Sequence, residues 1–335
     1  MTNLFLSRSR SYPLSINLVH THEPTGEESF HPETYAITDA LLKLLLTHLC
    51  RWRSIKFAFL GEAQQSLLSL PQNSSAAPLL ETVVLGLRSW DTDSADRLWE
   101  SIHSYPSVRQ IAWRGYVPDF PGHVPWTQLT DVCIDFQDIT ACLNVLKECR
   151  SLKTLDVSFY HDQPRTLPSF SDVTLDSLAS LQIYTRIELG SLFDHLTFPS
   201  LKSLSINRTN NSPNDAQSLV SLLKRSTCRI ESFSFAITSD ESEEEGQDEL
   251  MAYLIAPQLS SLLHLEINLV GKTQKQNVAE LLTHRANQKL LPDLIGMTVT
   301  VDEETDKNDE RLLAMFASRI DYSPGQYREF EICNF

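Results

Sequence analysis

The sequence predicts an α/β, leucine-rich-repeat-like solenoid: an arc of short parallel strands with helices on the convex side. Three observations predict it. An apolar phrase recurs from end to end, its spacing stays in a narrow band, and amphipathic helical stretches lie between its copies. The phrase is an apolar residue, two variable residues, an apolar residue, one variable residue and an apolar residue. Its middle residue falls at 55, 83, 111, 132, 155, 181, 204, 233, 265, 297 and 330, so successive gaps run from 21 to 33 residues. That band overlaps the leucine-rich-repeat period of roughly 20–29 residues and extends slightly past it. Length alone suggests about two domains. The repeat overrides that prior, because stacked repeats share one continuous core. The expectation is a single irregular solenoid of about 11 repeats over residues 1–335.

Each element follows from this rhythm. Tyr12-Pro13-Leu14-Ser15-Ile16-Asn17-Leu18 alternates apolar and polar residues and opens the sheet. A polar loop follows over 20–32, and a helical stretch over 38–49 leads into the first phrase, Trp52-Ile55-Phe57. Leu80-Val83-Leu85 comes next, then a helix over 95–104 and Val108-Ile111-Trp113. After Leu129-Val132-Ile134, a helix over 140–149 precedes Leu152-Leu155-Val157, Leu178-Leu181-Ile183 and Leu201-Leu204-Ile206. Helices over 215–225, 247–255, 277–283 and 310–319 alternate with Ile230-Phe233-Phe235, Leu262-Leu265-Ile267, Leu294-Met297-Val299 and Tyr327-Phe330-Ile332. In a strand alternate side chains share a face, so the last two apolar positions of each phrase point inward. Leu219, Leu222 and Leu223 fall at i, i+3 and i+4, one face of a helix. Pro78, Pro106, Pro199, Pro257 and Pro292 stand just before strand phrases, where proline stops a helix and extends its predecessor. Asn214 and Asn308 are placed to cap helix starts.

Charge narrows the functional classes. The chain carries a formal charge of −15. Residues 240–249 hold seven acids and no base, and 302–310 hold six acids and one lysine. These two runs carry −12, and the rest is close to neutral. No basic face is available to neutralise phosphates, which argues against nucleic acid as a ligand. The run at 238–249 is expected to be a disordered acidic insertion, because so many charges cannot bury a side. No apolar run approaches the ~20 residues of a membrane helix, and residues 1–6 are too short for a signal-peptide core. The six cysteines form no Cys-x-x-Cys pair. A reducing setting, cytoplasmic or nuclear, is expected.

The sequence holds no Gly-x-Gly-x-x-Gly, no phosphate-binding Gly-Lys-Ser/Thr loop and no Gly-x-Ser-x-Gly elbow. The nearest approach to a metal cluster is His20-x-His22-Glu23 with His31, which lacks the fourth ligand and closed geometry of a structural zinc. Cys142 and Cys149 share a helix face and are expected in the core. Catalytic residues, metal and cofactor are therefore expected to be none. What remains is the outward row of the strands: Lys56, Val84, Ala112, Cys133, Asp156, Gln182, Ser205, Ser234, Glu266, Thr298 and Glu331. This mixture suits a partner recognised by hydrogen bonds. Arg114, Asp131, Asp135, Asp156, Tyr184 and Asn207 are the candidate protein-binding residues, because the centre of an arc touches a ligand through several repeats.

The phrases also resemble a known group. Leu6-Ser7-Arg8-Ser9 with Pro13-Leu14-Ser15-Ile16, and the run from Leu46-Thr47-His48-Leu49 to Ile55, are similar to segments of the fungal F-box proteins with irregular leucine-rich repeats. Pro125-Trp126-Thr127-Gln128-Leu129-Thr130 looks like that group's phrase before a strand, and Phe198-Pro199-Ser200-Leu201 like its repeat starts. The resemblance implies a substrate-recognition subunit of a cullin-based ubiquitin ligase, whose partners are a protein client and, where an F-box lies upstream, the ligase adaptor. Two departures stand out: no F-box is visible, and the asparagine that follows the strand in regular repeats is mostly absent. Two rivals stay open: a stand-alone repeat scaffold or truncated paralogue without ligase role, and a hydrolytic or metal enzyme using the 20–31 loop.

Overall fold

The computed structural model describes residues 2–19, 32–59, 65–87, 90–114, 124–136, 138–159, 171–208, 215–237, 245–269, 272–283, 290–301, 310–320 and 329–334. Within them lie the strands β1 (Leu14–Val19), β2 (Trp52–Phe59), β3 (Thr82–Leu87), β4 (Gln110–Arg114), β5 (Asp131–Phe136), β6 (Thr154–Phe159) and β7 (Val173–Thr174). They continue with β8 (Ser180–Thr185), β9 (Leu196–Thr197), β10 (Ser203–Arg208), β11 (Ser232–Ile237), β12 (His264–Leu269), β13 (Gly296–Val301) and β14 (Glu329–Asn334). The helices are α1 (Thr2–Arg8), α2 (Pro32–Leu46), α3 (Gln65–Leu68), α4 (Thr92–His103) and α5 (Ile139–Glu148). After them come α6 (Gly190–Asp194), α7 (Asp215–Ser226), α8 (Glu245–Leu254), α9 (Lys272–Leu282) and α10 (Glu310–Ile320). The chain forms two compact units: Met1–Asp135 with Glu148–Leu152, and Phe136–Lys147 with Lys153–Phe335.

The last two apolar positions of all eleven phrases fall on strands, and the phrase sets their register. In the first unit the order is β1-β2-β3-β4-β5, and every pair is parallel. Ile55, Val83, Ile111 and Val132 share one rung, and Phe57, Leu85, Trp113 and Ile134 another. In the second unit the order is β6-β8-β10-β11-β12-β13-β14, again parallel. There Leu155, Leu181, Leu204, Phe233, Leu265, Met297 and Phe330 form a single rung. A slip by one residue would turn a whole strand's apolar set to solvent, so burial of one face locks this register. β7 and β9 make a separate two-stranded parallel sheet in the second unit, which the phrase does not announce.

Helices cover the inward face. Trp99 of α4 stacks on Trp113 of β4, with ring centroids 4.9 Å apart. Tyr253 of α8 meets Phe233 and Phe235 of β11 edge-on at 5.9 and 5.5 Å. Asp91 caps α4 by accepting from the Ser94 amide at 2.8 Å, and Asp138 does the same for α5 through Ala141. Asn214 and Asn308 lie outside the described residues. The expected helices are present, with α2 and α9 starting five or six residues earlier. α1, α3 and α6 were not expected. They are too short to hold without tertiary contacts, so local propensity gives little sign of them.

The acidic run at 238–249 divides. Residues 238–244 lie outside the described residues, but α8 begins at Glu245 and Glu249 is only 2 % exposed. Its C-terminal end is therefore not a loose insertion. A buried cation on β10 holds Glu249 in the core.

Candidate partner-binding face

The outward side chains of the strands form rows, because parallel strands in register place equivalent residues side by side. In the first unit, Thr82, Gln110 and Asp131 share a rung across β3, β4 and β5. The Thr82 hydroxyl donates to Gln110 Oε1 at 2.9 Å, and Gln110 Nε2 donates to Asp131 Oδ2 at 3.4 Å. The Thr130 hydroxyl donates to the same Asp131 oxygen at 2.7 Å. Asp131 is thus half-buried in a cross-strand chain of hydrogen bonds. Arg114 closes β4 opposite Gly86 of β3, and Asp135 lies near the end of β5. The turn Trp126–Gln128 before β5 is held by Gln128 Nε2 donating to the Tyr105 carbonyl at 3.3 Å.

The second unit presents three longer rows. The first runs Thr154, Ser180, Ser203, Ser232, His264, Gly296 and Glu329. The second runs Asp156, Gln182, Ser205, Ser234, Glu266, Thr298 and Glu331. The third includes Ser158, Tyr184, Asn207 and Ala236. No lysine or arginine stands in these rows, and Asp156, Glu266, Glu329 and Glu331 are acids. A Cβ at Gly296 would sit 2.7 Å from His264 Nδ1, so the bare glycine makes room for the imidazole.

Three of the six candidates belong to each unit. Of the second set, Tyr184 and Asn207 are direct neighbours on β8 and β10, and Asp156 stands in the adjoining row. Gln182 Nε2 donates to the Tyr184 hydroxyl, and Asn207 Nδ2 donates to Ser205 Oγ at 3.4 Å. Tyr184 is 39 % exposed, an aromatic ring lying among small polar side chains. Such a ring offers apolar area at low entropic cost, with a hydroxyl at its tip.

One cluster escaped the sequence reading. Arg208 at the end of β10 points inward and is 1 % exposed. Its Nη1 donates to Asp215 Oδ2 at 2.6 Å and to Glu249 Oε1 at 2.8 Å. The Tyr253 hydroxyl donates to Glu249 Oε1, and the Leu189 amide donates to both Asp215 oxygens at 2.9 and 3.0 Å. Burial pushes the Glu249 carboxyl up, against the pull of Arg208. Burial also pushes the Tyr253 hydroxyl well up, reinforced by the Glu249 charge. Burial works against the Arg208 cation, but the Glu249 and Asp215 carboxylates outweigh it and its pKa is raised. The signal in sequence was a charge in phase with the apolar positions Leu204 and Ile206.

Among the described residues, no group of three His, Cys, Asp or Glu could hold a metal ion. His20, His22, Glu23 and His31 lie outside them. Cys149 is fully buried, and its thiol is pushed up to about 12 by burial and then by Glu148, the reverse of what a nucleophile needs. No helix among the described residues is long and apolar enough to cross a membrane. No model of a known protein family matches the sequence, and no curated protein matches it.

Proposed function

We propose that this protein is a recognition module, not an enzyme, and that it binds a protein client on the outward face of its strands in the cytoplasm or nucleus. One observation carries the reading: seven strands of the second unit stand in register, and their outward rows are free of lysine and arginine, mostly polar, and include the exposed Tyr184 beside Asn207. Such a surface offers carboxylates, amides and hydroxyls to the donors of a partner. Repeat proteins use extended surfaces of this kind for binding.

A photo-crosslinking residue at position 184 tests the reading, with one at Lys224 on the exposed side of α7 as control. Capture of a defined protein from position 184 alone, lost on Asn207→Arg, is expected. Equal capture from both positions, or from neither, would overturn it. The sequence resemblance supports a further setting, in which the client is presented to a cullin-based ubiquitin ligase. Co-purification of the ligase adaptor with the full-length cellular protein tests that setting separately. Its absence would leave a stand-alone scaffold.

A further inference from the structure

We infer that the client held on the outward face of the second unit presents a segment rich in lysine and arginine, which rests on the recognition reading above and names its partner's chemistry. The charge of the rows is one-sided. Asp156 stands on β6, Glu266 on β12, and Glu329 and Glu331 on β14. Glu266, Thr298 and Glu331 share one rung, and His264, Gly296 and Glu329 another. The three glutamates therefore fall within two strand spacings, about 10 Å. All three are exposed, and among the described residues none of them makes an ion pair. Other acids of the chain have a base of their own: Glu231 has Lys202 at 3.2 Å, and Asp215 and Glu249 share Arg208. The bases nearest the rows stand at their margins, Lys153 and Lys202 just before β6 and β10 and Arg186 just after β8.

The topology adds to this charge. The acidic runs at 240–249 and 302–310 are far apart in sequence. Yet β11 ends at Ile237 and β13 at Val301, and only β12 lies between them. All three strands are parallel and in register, so the chain leaves the sheet toward both runs at the same edge. Residues 238–244 and 302–309 themselves lie outside the described residues. The edge that carries Glu266 and Glu331 in its rows is thus also where most of the chain's net negative charge is attached.

Charge complementarity selects a basic polypeptide for this face. Carboxylates without an internal counter-charge attract lysine and arginine, speed the encounter with a basic partner and repel an acidic one. The hydroxyls and amides of Gln182, Ser205, Ser234 and Thr298 in the same row bond to either sign of partner, so the sign is set by the acids. Tyr184, 39 % exposed, adds a ring face on which a cation can lie. Seven strands at about 4.8 Å span about 29 Å, the reach of roughly nine extended residues. A short basic segment is therefore long enough to cross every row from β6 to β14.

The probe is a fluorescein-labelled peptide of roughly nine residues that alternates arginine and serine, beside a glutamate-and-serine peptide of equal length. Fluorescence anisotropy with the full chain should show binding of the arginine peptide alone. Glu266→Lys/Glu331→Lys should weaken it at least about tenfold, and the neutral Glu266→Gln/Glu331→Gln by a smaller factor. Glu100→Lys/Glu148→Lys makes the same change in net charge at exposed positions of α4 and α5, and should leave affinity within about threefold. All three variants should keep the wild-type far-ultraviolet spectrum. Failure of the arginine peptide to bind, binding of both peptides, or equal weakening by the two charge reversals would overturn the inference. The recognition reading is tested apart from it: capture from position 184 that survives Glu266→Lys/Glu331→Lys keeps a client on this face and removes only its basic character.

Discussion

Arg208 stands where the strand rhythm calls for an apolar side chain. Its rung holds Phe159, Thr185 and Ile237 on the neighbouring strands. One buried cation here faces two buried carboxylates, and each partner alone would be costly. Arg208→Met leaves Asp215 and Glu249 uncompensated and is expected to cost about 3–5 kcal/mol, the usual result of breaking a buried pair from one side. Glu249→Gln keeps an acceptor for both Arg208 and Tyr253 and tests the pH linkage. Burial raises the Glu249 carboxyl, so the folded chain holds that proton more tightly than the unfolded one. The stabilisation from protonation is fully present below the ordinary carboxylate value of about 4.3 and is lost as pH rises through the raised value. Urea melts of wild type and variant across this window should diverge in favour of the wild type as pH falls. Divergence the other way would mean a lowered carboxyl. In sequence Arg208 shows only as a charge at an inward phase and Asp215 only as the first residue of a helix, and neither announces a buried pair. Glu249 was not, because a run of acids reads as solvated charge until its partner is known.

At the scale of elements, arginines tie helices together across repeats. Arg319 in the last turn of α10 donates to the carbonyls of Leu282, Leu291 and Leu290 at 2.8, 3.1 and 3.1 Å, and so caps the end of α9. Arg225 in the last turn of α7 donates to the carbonyls of Phe193 and Leu196, both at 2.6 Å, at the end of α6. A cation at a helix C-terminus meets the negative end of its dipole. Burial decides which of the two matters more. Arg319 is 2 % exposed and Arg225 lies at the surface. Arg319→Ala strands three carbonyls away from water and should cost about 2–4 kcal/mol, whereas Arg225→Ala should cost about 1 kcal/mol. Arg319→Lys should not rescue the loss, because an ammonium cannot span the fork of three carbonyls. Denaturant midpoints of the three variants decide it, and equal costs would contradict the argument. The strands were legible because nothing but apolar residues fits their inward slots. These arginine ties were not, since a basic residue in a last turn is ordinary in any exposed helix.

At the scale of the molecule, the repeat period conveyed strand number and register, because every strand solves the same packing problem. It did not convey the division into two compact units, which depends on where contacts thin out between repeats of the same pattern. Nor did it rank the outward residues: the Thr82, Gln110 and Asp131 chain joins positions 28 and 21 apart, with no motif to mark them. The same architecture predicts how damage spreads. In a stack each repeat is supported by its neighbours, and stability is nearly a sum of local terms. Leu265 of β12 is 1 % exposed and sits between Phe233 of β11 and Met297 of β13. Leu265→Ala removes about 2–4 kcal/mol of packing at that rung. Native-state hydrogen exchange should then accelerate in β11, β12 and β13 while β2, β3 and β4 keep their wild-type protection, because local opening there does not require the first unit to open. Equal acceleration in both sets of strands would show instead that the two units unfold as a single cooperative body.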